Sequence, residues 1–273
     1  MGFGSYSRVL LRIGVISKRM FPLYKSECSI FNYDDIPAGY YFDAMLHGSS
    51  VQKYWHKMKF QSVIEYVDND DDVLDFGCGP GSFLHLLGNS SKCFNRAVGV
   101  DISSHQIEFA INHVGGEFSN IDFVELSMED TAMPFDEKSF DFISMIEVAE
   151  HIHPYILSNL IRDLKRCLKN DGRLIITTPN YRSLWPLVEV ALNRLSKVEY
   201  HEQHINKYTP NSFLKFLETM GLEVISYKSI FVLSPFFSAL SSQLADRLLN
   251  FEKKIFPLFG CLLIAETRIK EFE

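Results

Sequence analysis

Two stretches of this chain have residue types and spacing that chemistry requires. The first is "VLDFGCGPGSFL", where Asp75 closes an apolar run and Gly77, Cys78, Gly79 and Gly81 follow at once. Glycine reaches backbone conformations closed to other residues and lets a ligand lie against the main chain. A helix opening behind such a turn aims free N–H groups and partial positive charge at the ligand. A molecule with a nucleoside end and an anionic group fits that description. Asp101 ends "AVGVD", 20 residues past Gly81, where an acid can accept from both ribose hydroxyls. The second stretch is "IEVAEHIHP", residues 146–154, which carries Glu147, Glu150 and His151. Histidine titrates near neutral pH, so His151 is a candidate general base. The same "EH" pair also suits a plain helix start, because an acid is favourable there.

These residues need elements to position them. "DVLDF" (72–76), "RAVGVD" (96–101), "IDFVEL" (121–126), "FDFISMI" (140–146) and "RLIITTP" (173–179) read as strands. Helices are expected to open near Gly81 and over 103–114, with Ser103 as the cap of the latter. A third helix is expected over 154–170, with Ile156, Leu160, Ile161, Leu164 and Leu168 on one stripe and Asp171-Gly172 ending it. "CLLIAETRI" (261–269) is the last strand. Short apolar strands alternating with helices predict a doubly wound, mostly parallel α/β sheet covered on both faces. In such sheets ligands bind beyond the carboxyl ends of the strands, where the glycine turn and the "EH" pair both fall.

The glycine spacing narrows the ligand. A nicotinamide fingerprint needs Gly or Ala where Ser82 stands, and a phosphate loop needs a Gly-Lys pair that is missing. The remaining pattern, D-x-G-x-G-x-G after an apolar strand, resembles the class I S-adenosylmethionine (SAM)-dependent methyltransferases. The resemblance runs over about residues 70–230 and includes "MEDTAMPFDEKSFDFISMIEVAEHI". It implies a Rossmann-like seven-stranded sheet with SAM against Asp75, Gly77, Cys78, Gly79, Gly81, Asp101 and Glu147. It also implies that Ile102 packs on the adenine, Met128 contacts it through its backbone, and Glu129 flanks it. Many members carry an acid where this chain has Ser127. The segment around Glu147, Glu150 and His151 is similar to that of the ubiquinone-biosynthesis O-methyltransferases, where the Glu-x-x-Glu-His pattern is implicated in divalent-metal binding. That likeness implies Mg2+ on these three residues. His204, in "QHINKYTP", sits where those enzymes place a histidine, and is a second candidate for base or substrate orientation.

Composition sets the outer bounds. The chain has 273 residues, 47% hydrophobic, with a formal charge of −7, which excludes a general nucleic-acid binder. Its five cysteines form no CxxC pair, so a cytoplasmic, reducing setting is expected rather than a disulfide framework. An N-terminal cap and substrate region is expected over 1–65. The SAM-binding domain follows over 66–273, with helical insertions at about 181–209 and 230–259. The insertion 180–213 delivers Tyr200, His201, Gln203, His204 and Tyr208, as a lid over the acceptor would. The start of the chain is basic, with Arg8, Arg12, Lys18, Arg19 and Lys25 before the first acid at Glu27. With the uncharged "SIFVLSPFFSALSSQLA" (229–245), it points to peripheral contact with the cytoplasmic face of a membrane. A mitochondrial transit peptide would share that N-terminal composition. The expected activity is O-methylation of a lipophilic small molecule or lipid-linked acceptor. Methylation of a surface-glycan or polyprenol-linked intermediate, and a non-catalytic SAM-binding regulator, are the alternatives.

Overall fold

The computed structural model describes residues 36–127, 132–195 and 204–270, and of residues 191–195 only the backbone. The basic N-terminal segment, Met128, Glu129, Tyr200, His201 and Gln203 lie outside the described residues.

Strands β1 (Asp72–Phe76), β2 (Arg96–Asp101), β3 (Ile121–Glu125), β4 (Phe140–Ile146) and β5 (Leu168–Pro179) form the parallel part of one sheet. β6 (Leu222–Ile230) and β7 (Leu262–Ile269) complete seven strands in the order β3-β2-β1-β4-β5-β7-β6. The last strand of the chain does not lie at the edge. β7 enters between β5 and β6, antiparallel to both. Strand order reverses between β1 and β4, so the end of β1 opens onto the crevice where such sheets bind ligands.

Helices cover both faces. One face carries α1 (Tyr40–His47), α2 (Ser50–Ile64), α3 (Ser82–Gly88) and α9 (Ser242–Ile255), which bury Met45, Phe60, Phe83 and Leu249. The other carries α5 (Pro154–Cys167) and α7 (Pro210–Thr219), which bury Leu157, Leu164, Phe213 and Leu217. The stripe on α5 is Leu157, Leu160, Ile161 and Leu164, the i, i+3, i+4, i+7 pattern of a half-buried helix. The helix ends at Cys167, because Leu168 turns extended and pairs with Phe140. Asp171 and Gly172 therefore sit inside an irregular start of β5 and do not terminate the helix. The segment expected as one helix over 103–114 is α4 (Ser104–Ala110) followed by a π-turn at Ile111–Gly115. Ser103 makes no side-chain cap; its Oγ lies 3.1 Å from His105 Nδ1.

The N-terminal helices dock onto the sheet through polar contacts. Gln106 on α4 accepts from the Gly39 N–H at 3.1 Å and donates to the Ile36 and Pro37 carbonyls at 3.2 Å. Gly39 has φ +75°, and a Cβ there would lie 2.2 Å from the Phe109 ring. Ser49 and Gln52 close α2 with a reciprocal capping box. α2 then runs across the carboxyl end of the sheet and presents Trp55, His56, Lys59 and Phe60 to the crevice.

Candidate active site

A cleft of about 420 Å³ opens at this end of the sheet. Asp75, the glycine turn, Asp101, Glu147, Glu150, His151 and His204 all line it. So do residues that sequence reasoning did not assign to the site, chiefly His56, Lys59 and Trp185.

The turn after β1 is built from main chain. The Gly77 and Cys78 N–H groups donate to the Val100 carbonyl at 2.8 and 3.0 Å, which ties the turn to β2. Gly77 has φ +74°, and a Cβ there would meet Val148 Cγ2 at 2.5 Å. Gly79 has φ +51° and nothing within 4 Å of where a Cβ would stand. Packing and conformation thus both require glycine at 77, while at 79 conformation requires it and the space is left open. Cys78 is buried, and burial pushes its thiol well above its ordinary range. Gly81 precedes α3, which has seven residues.

Two carboxyls flank the turn. Asp75 is 2% exposed, and burial pushes its carboxyl up to about 7 against the opposing hydrogen bond from Ser144 Oγ at 2.8 Å. Asp101 accepts from the Gly79 N–H at 2.8 Å and from the Ser103 N–H at 2.9 Å, one on each oxygen. Burial raises its pKa, and those backbone donors oppose the rise. The Ile102 N–H also bears on this carboxylate, whose two oxygens offer four lone-pair sites in all. Ile102, 47% exposed, stands next to Asp101 on the rim of the cleft.

The far wall is made of side chains from distant segments. Glu147 follows β4 with φ +53°, and its carboxylate is gripped by Lys59 from α2. That ion pair takes Glu147 out of the expected metal set. The carboxylate and imidazole atoms that come together belong to Glu150, His151 and His204, all within 4.8 Å of one another. The Glu150 side chain is fully buried, and among the described residues neither carboxyl oxygen makes a hydrogen bond of ordinary geometry; its polar neighbours include the Thr178 hydroxyl and His151 Nε2, 4.0 Å from Oε1. Burial first, and the Glu147 charge next, push its pKa well above the usual carboxylate range.

His204 is held in a buried network. Its Nδ1 lies 2.8 Å from Glu189 Oε1, and the Tyr181 hydroxyl, 2.7 Å from the same nitrogen, donates to Glu189 at 2.8 Å. Glu189 comes from α6 (Trp185–Leu195), inside the expected 181–209 insertion. With an N–H on Nδ1 facing the carboxylate, the lone pair falls on Nε2. Burial lowers the His204 pKa, and the Glu189 carboxylate opposes the drop. The His151 and His204 rings lie 5.0 Å apart. Trp55 packs against Trp185 at 5.6 Å and Phe231 at 4.6 Å and walls off the same end in aromatic surface. On α2, the Nδ1 of His56 is buried without a hydrogen-bond partner among the described residues, and burial, then Lys59, lowers that imidazole to about 3. Tyr208 is buried among Phe213 and Phe216 and serves the core rather than the cleft.

A glycine turn after β1, an acid at the end of β2 and a cleft at the strand-order reversal of a seven-stranded sheet define a class I SAM-dependent methyltransferase fold and site. Comparison agrees: the family model "Methyltransferase domain" matches residues 53–227, and the chain belongs to that family. An uncharacterized protein of Methanocaldococcus jannaschii, MJ1252, is 29% identical over 64% of this chain and 67% of its own length. A probable S-adenosylmethionine-dependent methyltransferase of Mycolicibacterium smegmatis is 24% identical over 67% of this chain and 65% of its own length. The ubiquinone biosynthesis O-methyltransferase of Glaesserella parasuis is 33% identical over 40% of this chain and 45% of its own. These matches leave from about a third to more than half of each relative outside the comparison. Among solved structures, a geranyl diphosphate methyltransferase in complex with SAM superposes with TM-score 0.54 at 15% identity, over 85% of this chain and 91% of its own. The [4+2]-cyclase SpnF superposes with TM-score 0.57 at 16% identity, over 81% of this chain and 83% of its own. At these identities the likeness concerns the fold.

Proposed function

We propose that the protein transfers the methyl group of SAM to an oxygen atom of an apolar acceptor, with His204 as general base. The observation that carries this reading is the Glu189–His204 pair in the wall of the cleft that also holds the glycine turn and Asp101; a proton on Nδ1, facing Glu189, leaves the Nε2 lone pair for the acceptor. His204 takes the proton of the acceptor hydroxyl as its oxygen forms a bond to the methyl carbon. The carbon–sulfur bond breaks, its electron pair stays on sulfur, and S-adenosylhomocysteine leaves. Glu189 stabilises the imidazolium that forms and keeps the ring oriented. His151 stands beside His204 and orients the acceptor or shares the proton.

The remaining lone pairs of Asp101 take the ribose hydroxyls, and Ile102 borders the adenine. Cys78 and the main chain of Gly77, Gly79 and Gly81 give the methionine end of SAM a wall without side chains in its way. Asp75 backs that wall. Lys59 and Glu147 offer one charge of each sign to its carboxylate and ammonium. In this reading 1–65 is a cap over the cleft, and 66–273 is the SAM domain. The apolar acceptor follows from Trp55, Phe60, Trp185 and Val188 in the lining. A lipid-linked glycan intermediate would present a similar apolar end.

A metal is the second reading, favoured by the buried Glu150 carboxyl, which makes no hydrogen bond of ordinary geometry among the described residues, beside His151 and His204. One carboxylate with two imidazoles is a donor set for a borderline transition ion and does not suit magnesium, which takes oxygen ligands. Such an ion would act as a Lewis acid on the acceptor oxygen.

Calorimetry with SAM, S-adenosylhomocysteine and NAD tests the cofactor, and NAD binding without SAM binding ends the reading. Turnover of labelled SAM with lipid extracts, read by mass spectrometry, identifies the acceptor and the methylated atom. Chelation separates a bare base from a metal centre. SAM binding with no transfer to any extract would instead favour a non-catalytic regulator.

A further inference from the structure

The excursion between β6 and β7 carries an apolar surface that the described part of the fold leaves uncovered. It holds α8 (Ser234–Phe237) and α9. α9 has two apolar sides: Ala245 and Leu249 face the core, whereas Leu244, Phe251 and Ile255 are 42%, 55% and 55% exposed. Their spacing of seven and then four residues puts these three on one stripe. Exposed apolar surface continues past both ends of the helix, with Leu240 77% and Phe259 56% exposed.

This surface is held rigidly. The buried Glu252 carboxylate accepts from the N–H groups of Val232, Leu233 and Ser234 at 3.1, 2.6 and 2.9 Å, and from the Ser234 hydroxyl at 2.7 Å. Charge next to the stripe has one sign. Arg247 and Lys254 fall on its flank, both exposed, and neither forms an ion pair among the described residues. The acid at Asp246 lies on the other side and accepts from the Tyr54 hydroxyl at 3.0 Å. An exposed cationic edge beside an apolar stripe stands out on a chain of net charge −7.

We propose that this face of α9 docks on a membrane leaflet that contains anionic lipid. The stripe enters the head-group boundary, and Arg247 and Lys254 meet lipid phosphates. Among the described residues no helix is long and apolar enough to cross a membrane, so the contact is peripheral. α8 packs on α9, and its Phe236, 46% exposed, and Pro235 are part of the cleft wall. Docking therefore sets the rim of the cleft at the leaflet, where an apolar acceptor can enter without crossing water. That last step rests on the methyl-transfer reading; the docking itself does not.

The test is flotation of the full chain with vesicles of phosphatidylcholine, alone or with phosphatidylglycerol. The wild type floats with the anionic vesicles at low salt and is released by high salt. Phe251→Glu with Ile255→Glu lowers the vesicle-bound fraction by more than about tenfold. Arg247→Glu with Lys254→Glu lowers it by about tenfold on anionic vesicles and leaves neutral ones unchanged. All four side chains are exposed, so the variants fold, and calorimetric SAM binding at the wild-type affinity verifies it. A wild type that stays in the soluble fraction overturns the proposal, as does a Phe251/Ile255 variant that floats like the wild type. So does a dimer that this variant dissociates while the wild type ignores vesicles, since a second copy then covers the stripe. Flotation needs neither acceptor nor turnover, so its outcome is separate from that of the methyl-transfer reading.

Discussion

The two ends of the cleft are built by opposite means. The end beneath β1 and β2 is made from one short stretch of chain and largely from backbone: Gly77, Gly79 and the donors to Asp101 lie within about 30 residues. The end beyond β4 is made from side chains that meet from far apart. His204 is 53 or 54 residues from Glu150 and His151, and Lys59 reaches Glu147 across 88 positions. A backbone-built site accepts one ligand geometry and tolerates little substitution. A side-chain-built site can be altered one residue at a time without disturbing the strand ends that support it. The first end accordingly suits an invariant methyl donor and the second a variable acceptor.

If that division holds, damage at one end leaves the other's ligand unaffected. The largest effect is expected for His204→Ala, with turnover at saturating SAM falling by roughly 10²–10⁴-fold. SAM affinity by calorimetry should stay at its wild-type value. A SAM affinity that falls with turnover would erase the distinction between the two ends. Next comes Asp101→Ala. If Asp101 holds both ribose hydroxyls as proposed, the change removes two charge-assisted bonds of about 1.5–3 kcal/mol each, and SAM should bind at least about 10²-fold more weakly. Turnover extrapolated to saturating SAM should change far less.

A smaller effect is expected for Glu189→Gln, which keeps shape and removes charge. One charge-assisted bond to the imidazolium is lost, so turnover should fall roughly tenfold. Glu189 raises the His204 pKa, so its loss should move the acid limb of the turnover profile to lower pH. A merely structural role would lower turnover without moving that limb.

The last effect is on stability of the unliganded protein and leaves the division of labour within the cleft untouched. The Asp75 carboxyl is raised from its ordinary 3.8 to about 7. The folded state therefore holds this proton over a range where the unfolded chain has released it. Stability from this group is complete below the ordinary value and is lost as pH rises toward 7, by at most about 1.4 kcal/mol per pH unit. Asp75→Asn should flatten that part of the melting-temperature profile, while the His56 contribution, which is lost as pH falls from 6.5 toward 3, remains. An unchanged slope would mean that Asp75 titrates normally.

Much of the cofactor end was legible in sequence because its signals are local. A strand, a glycine turn and an acid one strand later are adjacent in the chain, and glycine at 77 and 79 answers to backbone conformation that no neighbour has to supply. The parallel strands were legible for the same reason, since an apolar run buried on both faces needs no partner to be recognised. Where local reading failed, a tertiary contact decided. Leu168 leaves the stripe of α5 because its backbone pairs with Phe140. Ser103 stands at the N-cap of α4 as expected, but its hydroxyl lies against His105 and makes no capping bond.

The sequence by itself determined that Glu147, Glu150 and His151 stand at the end of a strand facing the cleft. Only the tertiary structure decided what each of them does there. The positive φ at Glu147 and the docking of α2 turn that carboxylate onto Lys59, and a 3-10 turn at Ala149–His151 aims His151 toward His204. Glu189, Tyr181 and His56 carried no signal in sequence, because a lone acid, tyrosine or histidine on a helix reads as an ordinary surface or core residue. Their roles exist only once the insertion after β5 and the N-terminal helices fold over the sheet. Burial then strips water from these groups, so that proximity sets both their partners and their protonation.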